Sequence, residues 1–119
     1  MILIVDHDPT FLERAREILN RTRRVFFANN SHRAFKLAQD LGFSVVLVNL
    51  DLQGDDSLTL IREMHEKFPG LPIIAITDSP HTAVVDVAKE LGVVEILDKP
   101  VTPEWKPVVE RVRAMADRS

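Results

Sequence analysis

Four polar clusters hold the side chains of this chain that could do chemistry: Asp6, His7 and Asp8; Asn49, Asp51, Asp55 and Asp56; Thr77 and Asp78; and Lys99. Each stands at the end of a short run that reads as a strand: Ile2 to Val5, Val45 to Val48, Ile73 to Ile76, and Glu95 to Leu97. In an open α/β sheet, function sits just past the carboxyl ends of such strands. A carboxylate there could serve as an anionic nucleophile or as a hard oxygen ligand for magnesium. Asn49, the first polar residue after the central run, offers only a neutral amide. The turn from Asp6 to Thr10 has no glycine-rich phosphate cradle, and no Ser, His and Asp constellation falls at the strand ends.

The elements that must position these residues alternate. Val45 to Val48 is short, apolar and β-branched, the signature of a parallel strand buried on both faces. Ile2 to Val5 is similar, and Asp8 before Pro9 supplies an N-cap and a first-turn proline for a helix carrying Phe11, Leu12, Ala15, Ile18 and Leu19. Val25 to Ala28 is a second strand. Asn29, Asn30 and Ser31 then open a helix with Ala34, Leu37, Ala38 and Leu41 inward, closed by Gly42. After the third strand, Leu58, Ile61, His65 and Phe68 continue helically to Pro69 and Gly70. Ile73 to Ile76 is the fourth strand, ending at Thr77. Thr82 caps a helix with Val84, Val85, Ala88 and Leu91 inward, and Gly92 follows. Glu95 to Leu97 is the fifth strand, broken by Lys99-Pro100. Thr102 and Pro103 repeat the cap-and-proline start, leading into Trp105, Val108, Val109, Val112 and Ala116. Pro107 predicts an irregular beginning to that helix.

Five strands each followed by an amphipathic helix predict an α/β fold, a doubly wound (βα)5 sandwich of flavodoxin-like order 2-1-3-4-5. That order gathers Asp6, His7, Asn49, Asp51, Thr77, Asp78 and Lys99 around one crevice.

Residues 1–119 suffice for a single domain, with 45% hydrophobic and 28% charged residues, a soluble globular balance. The net charge of −3, with positive residues such as Arg21, Arg23, Arg24, Lys106, Arg111 and Arg113 interspersed with acids, predicts no nucleic-acid footprint and no membrane surface. Without cysteine there is neither a disulfide framework nor a thiolate metal site. Met1 leads straight into an apolar strand rather than a secretory signal, so cytoplasm is the expected location.

The opening ILIVDHDP, the central VVLVNLDLQGDDSL, the IIAIT of the fourth strand and the LDKPVT after the fifth fall in one order and spacing. Together they resemble the CheY-like receiver domain of two-component response regulators along essentially the whole chain. The resemblance implies a phosphoryl group accepted from a histidine kinase on an aspartate after strand 3. It also implies a magnesium ion held by acidic residues after strand 1, a lysine after strand 5 and a hydroxyl after strand 4. Lys99, Thr77 and Asp6 match that pattern. His7 stands where the second acid of the pair is expected, Asn49 at the phosphoacceptor position, Asp78 where a small residue is usual, and Ile96 at the aromatic switch position.

Those departures predict a pseudo-receiver. An amide oxygen forms no stable acyl phosphate, so Asn49 should not be phosphorylated. With an imidazole at His7 and a neutral carbonyl at Asn49, the magnesium site should be weak or absent, and no cofactor is expected. Asp6 and Lys99 should balance each other, with Asn49 hydrogen-bonding between them. Asp8 reads as a helix cap. His32, His65 and His81 read as surface or helix-face residues, and Trp105 as core or helix-face packing. Asp51 is expected to turn its carbonyl, rather than its side chain, towards a metal. The expected function is a phosphorylation-independent, non-enzymatic protein-interaction module. Its partner or effector domain would meet the face of the fourth helix, fifth strand and fifth helix, including Val87, Glu90, Ile96 and Lys106, with a homodimer as a further expectation. With Ile96 at the switch position, no Thr77-coupled switch is expected. The alternative is a conventional phosphorelay receiver in which Asn49 is an engineered change or Asp51 is the acceptor.

Overall fold

A computed structural model describes residues 1–20, 24–52, 56–79, 82–99 and 105–116. Arg21, Arg23, Gly54, Asp55, His81, Pro100, Thr102 and Pro103 fall outside the described residues. The elements are β1 (Ile2–Val5), α1 (Pro9–Leu19), β2 (Val25–Ala28), α2 (Ser31–Asp40), β3 (Val45–Asn49), α3 (Ser57–Lys67), β4 (Ile73–Thr77), α4 (Ala83–Glu90), β5 (Glu95–Asp98) and α5 (Lys106–Ala116). The strands form one parallel sheet in the order β2-β1-β3-β4-β5, as the alternation of runs predicts.

Because successive strand side chains point to opposite faces, the apolar runs divide between two cores. Leu3, Val5, Val46, Val48, Ile73 and Ala75 pack with Ala34, Ala38, Leu60, Ile61, Met64, Val85 and Ala88 of α2, α3 and α4. Ile2, Ile4, Val45, Leu47, Ile74 and Ile76 pack with Phe11, Ala15 and Leu19 of α1 and with Trp105, Val108, Val112 and Met115 at α5. Burial on both sides is why β1, β3 and β4 read as unbroken apolar runs rather than alternating ones.

Register pins the site. Val5 pairs with Val48 and Asn49 with Ile76, while Thr77 pairs with Asp98, so the polar ends of β1, β3, β4 and β5 lie side by side. The helix caps hold the connecting turns. Asp8 accepts from the Thr10 and Phe11 N–H groups, Asn30 from Arg33, Asp56 from Thr59 and Thr82 from Val85.

Two stripes differ from expectation. In α3 Ser57, Leu60, Ile61 and Met64 are the buried residues, the expected Leu58 and Phe68 pack partly buried against the same core, and His65 is exposed. In α4 Val84 faces outward, because the stripe runs through Val85 and Ala88. Pro107 is the second residue of α5, inside the first turn, where its missing N–H has no intrahelical partner to lose. The Gly42 stop is displaced as well: α2 ends on the extended C-cap Leu41. Gly92 alone among the described glycines has a positive φ, +104°, and a Cβ there would stand 2.9 Å from the His65 ring.

Candidate functional site

At the carboxyl end of the sheet lies an open cleft of about 480 Å³ lined by His7, Asp8, Pro9, Asn49, Asp51, Asp78 and Lys99. Asp6 and Thr77 are buried at the ends of their strands, behind the lining residues Lys99 and Asp51 that they contact.

Asp6 is fully buried. Its Oδ1 accepts the Asp8 N–H at 3.0 Å, and its Oδ2 lies 3.3 Å from the Lys99 ammonium. A charge in that position needs a partner, since an unpaired buried carboxylate costs several kcal/mol. Lys99 provides the pairing and also lies 3.6 Å from Asp8 Oδ2, so one ammonium serves two carboxylates. Its position is fixed from below by the Phe11 ring, 4.7 Å away, which stacks in turn on Trp105 at 5.1 Å. From above, the Lys99 N–H is tied to the Thr77 carbonyl at 2.8 Å. His7 is half-exposed, with Nδ1 3.6 Å from Asp6 Oδ1.

Asp8 has its carboxyl held below the ordinary carboxylate range. Removal from water works against this, but the Phe11 N–H, the Lys99 charge and the Thr10 N–H outweigh it. The cap reading of Asp8 stands, and the same side chain also faces Lys99.

Asn49 is buried and does not bridge Asp6 and Lys99. Its Oδ1 instead accepts the Asp51 N–H at 2.8 Å, while Nδ2 has no hydrogen-bond partner among the described residues. The reason is local: an Asx turn two residues long satisfies the amide oxygen within its own loop. The Ser57 hydroxyl donates to the Asn49 carbonyl at 2.7 Å, tying the start of α3 to the end of β3. Sequence reasoning missed Ser57, whose signal is a serine directly after the Asp56 cap.

Asp51 holds the largest surprise. Its carboxylate accepts the Thr77 hydroxyl at 3.0 Å through Oδ2 and the Asp78 N–H at 2.8 Å through the same atom, with Oδ1 3.2 Å from the hydroxyl. The Asp51 side chain is thus engaged across the cleft with the end of β4. Asp78 contributes its backbone N–H, and its exposed side chain lines the rim. Ile96 is partly buried beside the core of α2, α3 and α4, on β5 and outside the residues lining the cleft.

A sequence model of the response regulator receiver domain matches residues 2–106. The chain belongs to the response regulator receiver family. Curated receiver proteins similar to it include the C4-dicarboxylate transport transcriptional regulatory protein DctD of Pseudomonas aeruginosa, 27% identical over 83% of this chain and 22% of that protein. A response regulator receiver protein of Anaeromyxobacter is 29% identical over 83% of this chain and 42% of its own length. This receiver therefore spans less than half the length of either relative. Among solved structures, the signal receiver domain of an HD domain-containing protein from Pseudomonas fluorescens superposes with a TM-score of 0.88 at 23% identity, covering 98% of this chain and 86% of that one. A Burkholderia pseudomallei response regulator with a phosphorylated aspartic acid gives 0.80 at 28%, over 98% and 68%. The beryllofluoride-activated NtrC4 receiver domain dimer gives 0.86 at 20%, over 98% and 96%. The flavodoxin-like order deduced from the strand pattern is the one observed, and the receiver domain implied by the motif resemblance is the one these proteins share.

Magnesium is the ion this family implies, and the donor atoms here do not suit it. Magnesium favours several hard oxygens in octahedral array. The Asn49 amide oxygen is already bonded to a backbone N–H, leaving an Nδ2 donor that repels a cation. The residue after Asp6 offers an imidazole. Among the described residues no group of three or more His, Cys, Asp or Glu side chains is disposed to hold a metal ion.

Proposed function

We propose that this receiver signals by protein contact without being phosphorylated. The observation that carries the reading is Asn49, a buried neutral amide at the end of β3 whose oxygen is committed to the Asp51 N–H. Phosphoryl transfer needs an anionic oxygen aimed at phosphorus, with a metal or equivalent cations to gather the developing charge. Here Lys99, the ammonium lining the cleft among the described residues, is already shared between Asp6 and Asp8. Magnesium binding is correspondingly weak or absent, and the domain performs no catalysis of its own.

Residues 1–119 act as one domain in the cytoplasm. Among the described residues no helix is long and apolar enough to cross a membrane. The partner or effector domain meets the surface of α4, β5 and α5, where Val87, Glu90 and Lys106 are exposed and Ile96 is partly buried. A second copy is the alternative occupant of that surface, as a receiver dimer exists for NtrC4.

A conventional phosphorelay reading keeps one supporting observation: the Asp51 carboxylate faces the same cleft as Lys99. Treatment with acetyl phosphate and magnesium, followed by intact mass measurement, separates the two. The unmodified mass is expected. A gain of one phosphoryl group, mapped to Asp51, would replace this reading with the phosphorelay one.

A further inference from the structure

Two donors at the end of β4 converge on one point. The Thr77 hydroxyl and the Asp78 N–H both reach Asp51 Oδ2, at 3.0 and 2.8 Å. Donors that meet in this way form a seat for an oxyanion, because a charged acceptor strengthens each bond. The seat is filled by the chain itself. Thr77 is also held from its other side, since its Oγ1 accepts the Ser79 N–H at 3.0 Å, and Asp51 is oriented by the bond from its own N–H to Asn49. The links run unbroken from Asn49 through Asp51 and Thr77 to Ser79, that is, from the end of β3 to the segment leading into α4.

We infer that Asp51 is the resident anion of the Thr77–Asp78 seat, an internal carboxylate that excludes free oxyanions of the phosphate class and holds the Thr77 hydroxyl in one position. This rests on the reading that Asn49 is not phosphorylated and gives that reading a physical form. An entering oxyanion would have to displace Asp51 while facing the carboxylates of Asp6, Asp8 and Asp78, with Lys99 as the cation opposite them and His7 at the rim. Removing the Asp51 carboxylate deletes one negative charge and frees two donors together. The seat then opens to an oxyanion, and the side-chain link between the segments that follow β3 and β4 is cut.

The test compares amide spectra of the wild type, D51A, D51N and T77V with no phosphodonor present, then titrates each with inorganic phosphate. Asp51 is exposed, so its replacements leave the core intact; Thr77 is buried, and valine there removes the hydroxyl while keeping nearly the same shape, with circular dichroism checking that the fold is kept. In D51A the Asp78 amide moves upfield, Ser79 shifts with it, and the displacement carries into the first turn of α4; D51N gives a smaller change in the same direction. Phosphate produces saturable shifts at Thr77, Asp78 and Ser79 in D51A, with affinity at least about tenfold above the wild type. Adding T77V to D51A abolishes them. The inference is overturned if the D51A spectrum matches the wild type at Asp78 and Ser79, if the wild type binds phosphate as well as D51A does, or if sodium chloride of equal ionic strength reproduces the D51A response. A mass gain of the wild type with acetyl phosphate would remove the function reading, whereas these spectra, taken without a donor, report on Asp51 alone.

Discussion

At the scale of single residues, the centre of the molecule is a buried carboxylate and its ammonium. Asp6 and Lys99 are 3.3 Å apart at the bottom of the cleft, with the lysine only 13% exposed. Replacing Lys99 by methionine keeps the stem against Phe11 and leaves Asp6 without its cation, which is expected to destabilise the fold by about 3 kcal/mol. Urea unfolding at neutral pH measures this, and adding D6N should recover most of the loss because the orphaned charge goes with it. A loss under about 1 kcal/mol would mean that solvent, not Lys99, neutralises Asp6. This pairing could be read from the chain, since an acid after one buried strand and a lysine after another must meet in this topology. The Asn49 contact could not. An asparagine at a strand end has both a distant charge and a neighbouring N–H within reach, and only the backbone path of the loop decides between them. The Asp51 carboxylate contacts with Thr77 and Asp78 are equally hard to foresee, because side-chain direction in an irregular turn is not set by any period.

Elements are held by their caps as well as by their cores. Asp8 and Asp56 begin α1 and α3, and both carboxyls sit below their ordinary range. For Asp56 the Thr59 hydroxyl is the main cause, followed by the Thr59 N–H. Groups whose folded pKa is depressed stabilise fully above the unfolded carboxylate range, and the stabilisation is lost as pH falls through the folded values. Melting temperature should therefore drop between about pH 5 and pH 2. D8N and D56N keep a capping oxygen but cannot titrate, so each should flatten that drop; a profile unchanged by both would assign acid sensitivity to other groups. The caps Asp8, Asn30 and Thr82 are legible because capping is local chemistry. The inward stripe of α3 is less so. Leu58 and Leu60 compete for it two residues apart; Leu60, Ile61 and Met64 are fully buried, while Leu58 packs only partly buried at the edge of the same core.

For the whole molecule, alternation of buried strands and amphipathic helices was enough to give the five-stranded order and the crevice. Charge distribution is less even than a net −3 suggests. From Glu13 to Lys36 there are seven basic side chains against two acidic ones. Within that stretch Arg16 lies over Phe27 and Arg24 over Phe26, on the two faces of the edge strand β2. Positive charge on both sides of an open sheet edge opposes casual strand addition. The opposite edge carries the apolar exposure: Val84, Val87 and Val94 are about 40% to 48% accessible. If two copies meet there, sedimentation velocity should show a concentration-dependent dimer that V84E/V87E disperses, with its circular dichroism unchanged. A monomer at all concentrations would leave the surface to a different protein. The claim on which all of this depends is that the cleft is silent towards a phosphoryl group, and titration with beryllofluoride and magnesium, followed through the amides of Asn49, Asp51, Thr77 and Lys99, tests it most directly. No concerted movement at millimolar magnesium is the predicted result; joint, saturable shifts of those amides would contradict the account and restore the cleft as a phosphoacceptor site.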